Sequence, residues 1–223
     1  MFECDFCKKR FQKESTLINH SCEKKRRYLN KDNKDVILGF FAYDKFYKIN
    51  YKNKTKKTIN DFIQSNYYSD FVRFGRYLLQ LEMKDKEEFI CYLIKNTVPL
   101  NKWTYESIYV LYLIERNKKE PLISGLIRSL EFIQNWCNTN LCEVNNFFKI
   151  ITTYELVYHI KLGRISPSIL YVCETGLEKL QQLNDEQLIM LQDLIDPILW
   201  KNKLNNNMDD VKFIKEVFGE FNL

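Results

Sequence analysis

Glycine and proline are scarce, at 6 and 4 of 223 residues. That scarcity excludes collagen-like sequence, flexible Gly-rich linkers and Gly-rich β architectures. No apolar run reaches the ~18 residues of a membrane-spanning helix, so no membrane segment is expected. The opening residues Met1–Asp5 begin no apolar signal segment, and a cytoplasmic location is expected. A phosphate-cradling Gly-rich loop, a Walker pattern and a dinucleotide fingerprint are all missing. Histidine occurs only twice, at His20 and His159. His159 has no identifiable partner for acid–base work and reads as a core or surface residue. No nucleophile, base and oxyanion donor come together in the sequence, so the expectation is a protein that is not an enzyme.

What is present is a folded composition: 45% hydrophobic, 28% charged and 15% aromatic residues. The net charge of +5 hides an uneven distribution. Residues 1–60 hold 16 basic and 7 acidic side chains, a balance of +9. Residues 61–120 hold 9 of each, and residues 121–223 hold 9 and 13, a balance of −4. A basic head on a neutral-to-acidic body suggests a polyanion as the partner of the head. The body is then free to contact protein.

Seven cysteines, an odd number, without a secretory signal do not form a disulfide framework and point to a reducing compartment. Three of them, Cys4, Cys7 and Cys22, share a 22-residue stretch with His20. Two thiolates with two residues between them suit a tight turn around one metal ion, and a histidine downstream can supply a ring nitrogen. Phe11 and Leu17 provide a core too small to fold alone. The string Phe2-x-Cys4-x2-Cys7-x3-Phe11-x5-Leu17-x2-His20 resembles the ββα zinc-finger family position by position. The resemblance implies one structural Zn2+ held by Cys4, Cys7, His20 and, as a departure from the family, Cys22. At ~100° per residue, positions 20 and 22 fall on nearly opposite helix faces. The spacing therefore predicts a helix that ends near His20, with Cys22 turning back to the metal. In this family the helix positions corresponding to Lys13, Ser15, Thr16 and Asn19 read base edges. Lys24-Lys25-Arg26-Arg27 follows directly and is expected to contact phosphates.

From about Val36 onward apolar residues recur at three- and four-residue steps, which predicts an all-α body. Lys48–Lys57, with Lys54, Lys56 and Lys57, breaks that pattern and reads as an exposed basic loop. Further helices are expected near residues 67–77, 85–96, 104–117, 122–136, 144–151, 154–161, 167–183, 185–204 and 209–221. Gly163 and Asn184 read as stops and Pro197 as a kink or split. Cys91, Cys137, Cys142 and Cys173 read as structural thiols. The fold expected is mainly α: a small ββα finger with its basic tail over residues 1–27, then helical domains over 28–137 and 138–223.

The stretch Phe71-Val-Arg-Phe-Gly-Arg-Tyr-Leu-Leu-Gln-Leu81 precedes an acid-started helix with Phe89-Ile90 and Leu93-Ile94-Lys95-Asn96, then Trp103. Later come Tyr158, Leu162-Gly163-Arg164-Ile165-Ser166, Leu170 and Leu177. Over residues 36–215 this succession resembles the helicase-loading proteins of T4-like tailed phages. It departs from them in carrying a finger, and in reducing the family's dense basic run at the first helix to Arg73 and Arg76. The resemblance implies a DNA replication accessory protein that binds forked or single-stranded DNA, and duplex DNA through its finger. It also implies contacts with a replicative helicase and with single-strand binding protein. In that reading Lys54, Lys56, Lys57, Arg73 and Arg76 extend the DNA track, and Tyr51, Tyr67 or Tyr68 stacks on unpaired bases. The residues leave two other readings open: a zinc-finger transcription regulator, and an adaptor whose finger binds protein.

Overall fold

The computed structural model describes residues 1–51, 56–83 and 85–220. The molecule is mainly α, with a single two-stranded sheet at the N-terminus among the described residues. Strands β1 (Phe2–Glu3) and β2 (Arg10–Phe11) pair antiparallel, Phe2 opposite Phe11 and Glu3 opposite Arg10. Two short helices follow, α1 (Glu14–Ile18) and α2 (Glu23–Leu29). The chain groups into two compact units, Met1–Ile108 and Tyr109–Leu223.

In the first unit α3 (Lys34–Tyr51), α4 (Ile59–Gln64), α5 (Tyr68–Leu81) and α6 (Lys86–Lys95) surround an aromatic core. Thr58 and Asp61 form a capping box at the start of α4, satisfying two backbone donors that the helix leaves open. The helices α3 and α5 pack backbone to backbone. A Cβ on Gly75 would lie 2.1 Å from the Asp35 carbonyl oxygen, and one on Gly39 2.7 Å from that of Phe71. Any larger residue at either position would push the two helices apart. The close approach brings Tyr43 edge-on to Phe71, with centroids 5.5 Å apart. Phe74 meets Trp103 at 5.0 Å. Trp103 is fully buried, and its indole N–H is satisfied by the Val98 carbonyl at 2.9 Å.

The division between the units falls in the first turn of α7 (Glu106–Lys119). This differs from the boundary expected at residues 137/138. Helix α8 (Leu122–Thr139) buries Leu122, Leu126, Ile133 and Cys137, and the elements that cover this face come later in the chain. Trp136 lies edge-on to Phe147 at 5.2 Å, across the polar segment that looked like a linker. The finger likewise falls within the first unit.

Beyond α8 lie a 3-10 turn (Val144–Asn146), α9 (Phe147–Ile150) and α10 (Thr153–Lys161). Gly163 stops the chain after α10 with φ +67°, a left-handed position that glycine adopts freely. The helix expected over 167–183 is two helices, α11 (Ser168–Val172) and α12 (Glu174–Gln181), broken at an extended Cys173. Asn184 caps the next helix, α13 (Asp185–Leu191), with its side chain. The split expected at Pro197 is present: Asp196 caps α14 (Pro197–Asn205), and Pro197 takes the first turn, where its missing N–H costs nothing. Helix α15 (Met208–Glu220) completes the unit. The Trp200 indole, buried at the centre of this unit, donates to the Leu194 carbonyl at 2.7 Å. No helix among the described residues is long and apolar enough to cross a membrane.

Candidate metal centre and its basic surroundings

Cys4 follows β1 directly. Its backbone N–H donates to the Lys9 carbonyl at 2.9 Å, and its carbonyl accepts from the Lys8 N–H at 2.8 Å. Lys8 sits at φ +61°, closing a tight knuckle that swings Cys7 back beside Cys4. A backbone hydrogen bond from Cys7 holds the Cys4 thiol below the ordinary cysteine value despite its burial. Such a thiol is readier to serve as a thiolate ligand.

The second pair of donors comes from the junction of α1 and α2. Helix α1 ends at Ile18, so His20 extends from the turn that follows it and not from the helix itself. Cys22 has extended backbone and caps α2, its sulfur accepting from the Lys25 N–H at 3.4 Å. The break between the helices removes the opposite-faces conflict between positions 20 and 22.

The four donor atoms of Cys4, Cys7, His20 and Cys22 lie within 4.8 Å of one another. Cys4 Sγ and Cys22 Sγ are 4.0 Å apart, and Cys7 Sγ and His20 Nε2 are 3.2 Å apart. Donors at tetrahedral Zn–S and Zn–N distances stand ~3.5–3.8 Å from one another, so the set is compatible with a tetrahedral ion after small side-chain shifts. The Phe11 ring packs on the His20 imidazole with centroids 4.8 Å apart. No second group of three or more His, Cys, Asp or Glu side chains with this convergence occurs among the described residues.

The positions expected to read bases share the outer side of the finger. Lys13 occupies the N-cap position of α1, and Lys13, Ser15, Thr16 and Asn19 are all exposed. Ser15, Thr16 and Asn19, with Phe11, His20 and Ser21, line a shallow concavity of about 430 Å³.

The four-residue basic run is helical, and its side chains differ in burial and contacts. Arg26 is exposed, and Lys24 and Lys25 are half-buried, with Lys25 Nζ donating to the His20 carbonyl at 3.2 Å. Arg27 corrects the expectation of a phosphate contact. Its side chain is only 15% exposed, and it donates to the Ile63 and Ser65 carbonyls at 3.0 Å each. It also pairs with Glu23 and lies 4.5 Å from the centroid of the Tyr68 ring. Arg27 therefore joins α2 to the end of α4. Tyr68 is buried beneath that guanidinium and cannot stack on a base, whereas Tyr67 is exposed. Phe6 adds to the same seam, 5.1 Å from Tyr28, and its carbonyl accepts from Gln64 Nε2 at 3.4 Å.

The remaining proposed DNA contacts are scattered. Arg73 pairs with Asp70 at 2.9 Å and Arg76 with Asp35 at 3.0 Å, both on exposed surface. Lys56 is exposed, and Lys57 Nζ sits 4.6 Å from the Tyr47 ring centroid. Lys54 and the Tyr51 side chain lie outside the described residues. Lys48, assigned to the loop, lies within α3 and pairs with Asp44 at 2.6 Å.

Nothing in the sequence pointed to the roles of Arg27, Phe6 and Gln64. Their partners across this seam are 22 to 58 residues away, and no local period carries that information. Comparison of the chain with protein-family models, curated proteins and solved structures gives no match.

Proposed function

We propose that this chain is a zinc-stabilised DNA-binding protein acting as a replication accessory factor that helps load a replicative helicase. The observation that carries the nucleic-acid part is the direction in which the finger is held. Its inner edge, through Phe6, Tyr28 and Arg27, is occupied by the first unit. Its outer edge leaves Lys13, Ser15, Thr16 and Asn19 open to a ligand.

Zinc, when bound, acts as a structural cross-link, worth roughly 10–16 kcal/mol in finger peptides. The thiolates of Cys4, Cys7 and Cys22 and the His20 ring would hold it. The protein's own side chains do the recognition. Lys13 and Asn19 suit guanine and adenine edges, while Lys24 and Arg26 suit phosphates. One finger spans only ~3 base pairs, which favours recognition of DNA structure over sequence. The helicase-loading part rests on the resemblance of residues 36–215 and on the acidic balance of residues 121–223, which suits protein contacts.

The test is a salt series on fork, duplex and single-stranded DNA with zinc-loaded and chelator-treated protein. One zinc per chain by native mass spectrometry is expected, with fork preference, little sequence dependence and loss of binding on chelation. Helicase activity on a fork coated with single-strand binding protein should then depend on the chain. A preferred duplex sequence would instead establish a transcription regulator. Absence of binding at low salt would leave the protein-adaptor reading.

A further inference from the structure

Helix α10 carries a feature that neither its stability nor its packing requires. Its inner face buries Leu156, Val157 and Ile160. Its start is secured by a capping box, in which Glu155 accepts from the Thr152 N–H at 3.0 Å and its hydroxyl at 2.8 Å. Its outer face presents Tyr154, Tyr158 and Lys161 at i, i+4 and i+7, one stripe along the helix. Tyr154 is 67% exposed and Tyr158 54%. Tyrosine is a weaker helix former than the Lys, Glu or Gln usual on a solvated face, so propensity does not place it there.

The turn after α10 adds a cation to this face. Gly163, with φ +67°, reverses the chain, and Arg164 returns toward the helix. Its guanidinium lies 6.0 Å from the Tyr158 ring centroid and 3.3 Å from His159 Nδ1. Local charge runs against the rest of the region. Residues 121–223 hold 9 basic and 13 acidic side chains, yet between Glu143 and Glu174 there are three cations and one acid. That acid, Glu155, is engaged in the capping box. The patch is thus aromatic and cationic within an acidic surround.

We propose that the outer face of α10 is a stacking platform for unpaired nucleobases, with Tyr154 and Tyr158 taking one base each and Lys161 and Arg164, at the Tyr158 end, contacting the adjoining backbone phosphates. Rings four residues apart on a helix are separated by ~6 Å along its axis. Every base offers a π-face, so such a platform binds single strands with little sequence preference. This contact is additional to the finger and lies in the unit that charge balance alone assigns to protein partners.

The test uses full-length, zinc-loaded protein with fluorescently labelled oligo(dT) and a duplex of equal length, read by anisotropy. The variant Tyr154→Ala/Tyr158→Ala should lose roughly tenfold or more in oligo(dT) affinity, while duplex affinity stays within about twofold. Tyr154→Phe/Tyr158→Phe should retain oligo(dT) binding, because the ring and not the hydroxyl does the stacking. Photocrosslinking with bromouracil in the oligonucleotide should map to residues 154 and 158. Unchanged oligo(dT) binding in the Ala variant would overturn the proposal and leave the face to a protein partner. An equal loss on duplex and single strand, or crosslinks confined to the finger, would also overturn it. Failure of the finger to bind DNA is a separate result, read from Lys24→Ala/Arg26→Ala on duplex.

Discussion

The imidazole of His159 packs against the Phe132 ring with centroids 4.3 Å apart. Burial, followed by the nearby Arg164 charge, lowers its pKa from 6.5 to about 4. The native state therefore keeps this ring neutral where an unfolded chain would protonate it. Between pH 6.5 and about 4 the unfolded state binds the extra proton, so stability falls as pH falls through that window. Above pH 6.5 the contribution is fully present. The ring is only half-buried, and after discounting for solvent screening the effect is on the order of 1–2 kcal/mol. Thermal melting of the native chain from pH 7 to 4.5 should drop more steeply than that of His159→Gln. Acid titration of the metal ligands and carboxylates is common to both proteins and cancels in the difference. Parallel melting profiles would show that His159 does not contribute.

Helix α2 shows how neighbouring cations differ in role. Arg27→Ala would leave the Ile63 and Ser65 carbonyls without their guanidinium donor, at a cost of about 2–3 kcal/mol in urea unfolding. Once folded, that variant should bind duplex DNA nearly as well as the native chain. Lys24→Ala/Arg26→Ala should do the reverse, leaving unfolding within about 0.5 kcal/mol and lowering the salt slope of binding by about 2. A salt slope unchanged by Lys24→Ala/Arg26→Ala would remove α2 from the DNA track. The sequence resolved this region only in part, for a physical reason. Ligand spacing is local, so Cys4, Cys7, His20 and Cys22 were legible, as was a helix end near His20. Lys24–Arg27 looked uniform because a charge run carries no sign of which cation is buried. Elsewhere Pro197 announced its helix break through a missing N–H. The break at Cys173 was hidden because apolar residues continue at helical spacing on both sides of it.

On the scale of the whole chain, Cys22 links metal to fold. Its sulfur belongs to the candidate metal cluster and also caps α2. Helix α2 in turn carries Arg27, which holds the end of α4, while Phe6 in the finger knuckle meets Tyr28 and Gln64. An autonomous finger would melt alone on metal loss, as a bead of residues 1–22. These contacts instead predict that the finger, α2 and α4 open as one cooperative segment of the first unit. Hydrogen exchange on Cys22→Ser, or on the native chain with chelator, should show lost protection over residues 1–29 and also over Ile59–Gln64. Protection in the middle of α5 should persist, since Phe71 and Phe74 are locked against Trp103 by ring contacts at 5.7 and 5.0 Å. Lost protection that stops at residue 22 would mean that Arg27 and Phe6 touch the body without coupling to it. If the graded loss is found, metal occupancy controls not only whether the finger is folded but also how it is aimed. DNA held by Lys13 and Asn19, as proposed, would then be held at a fixed angle to the first unit's helices.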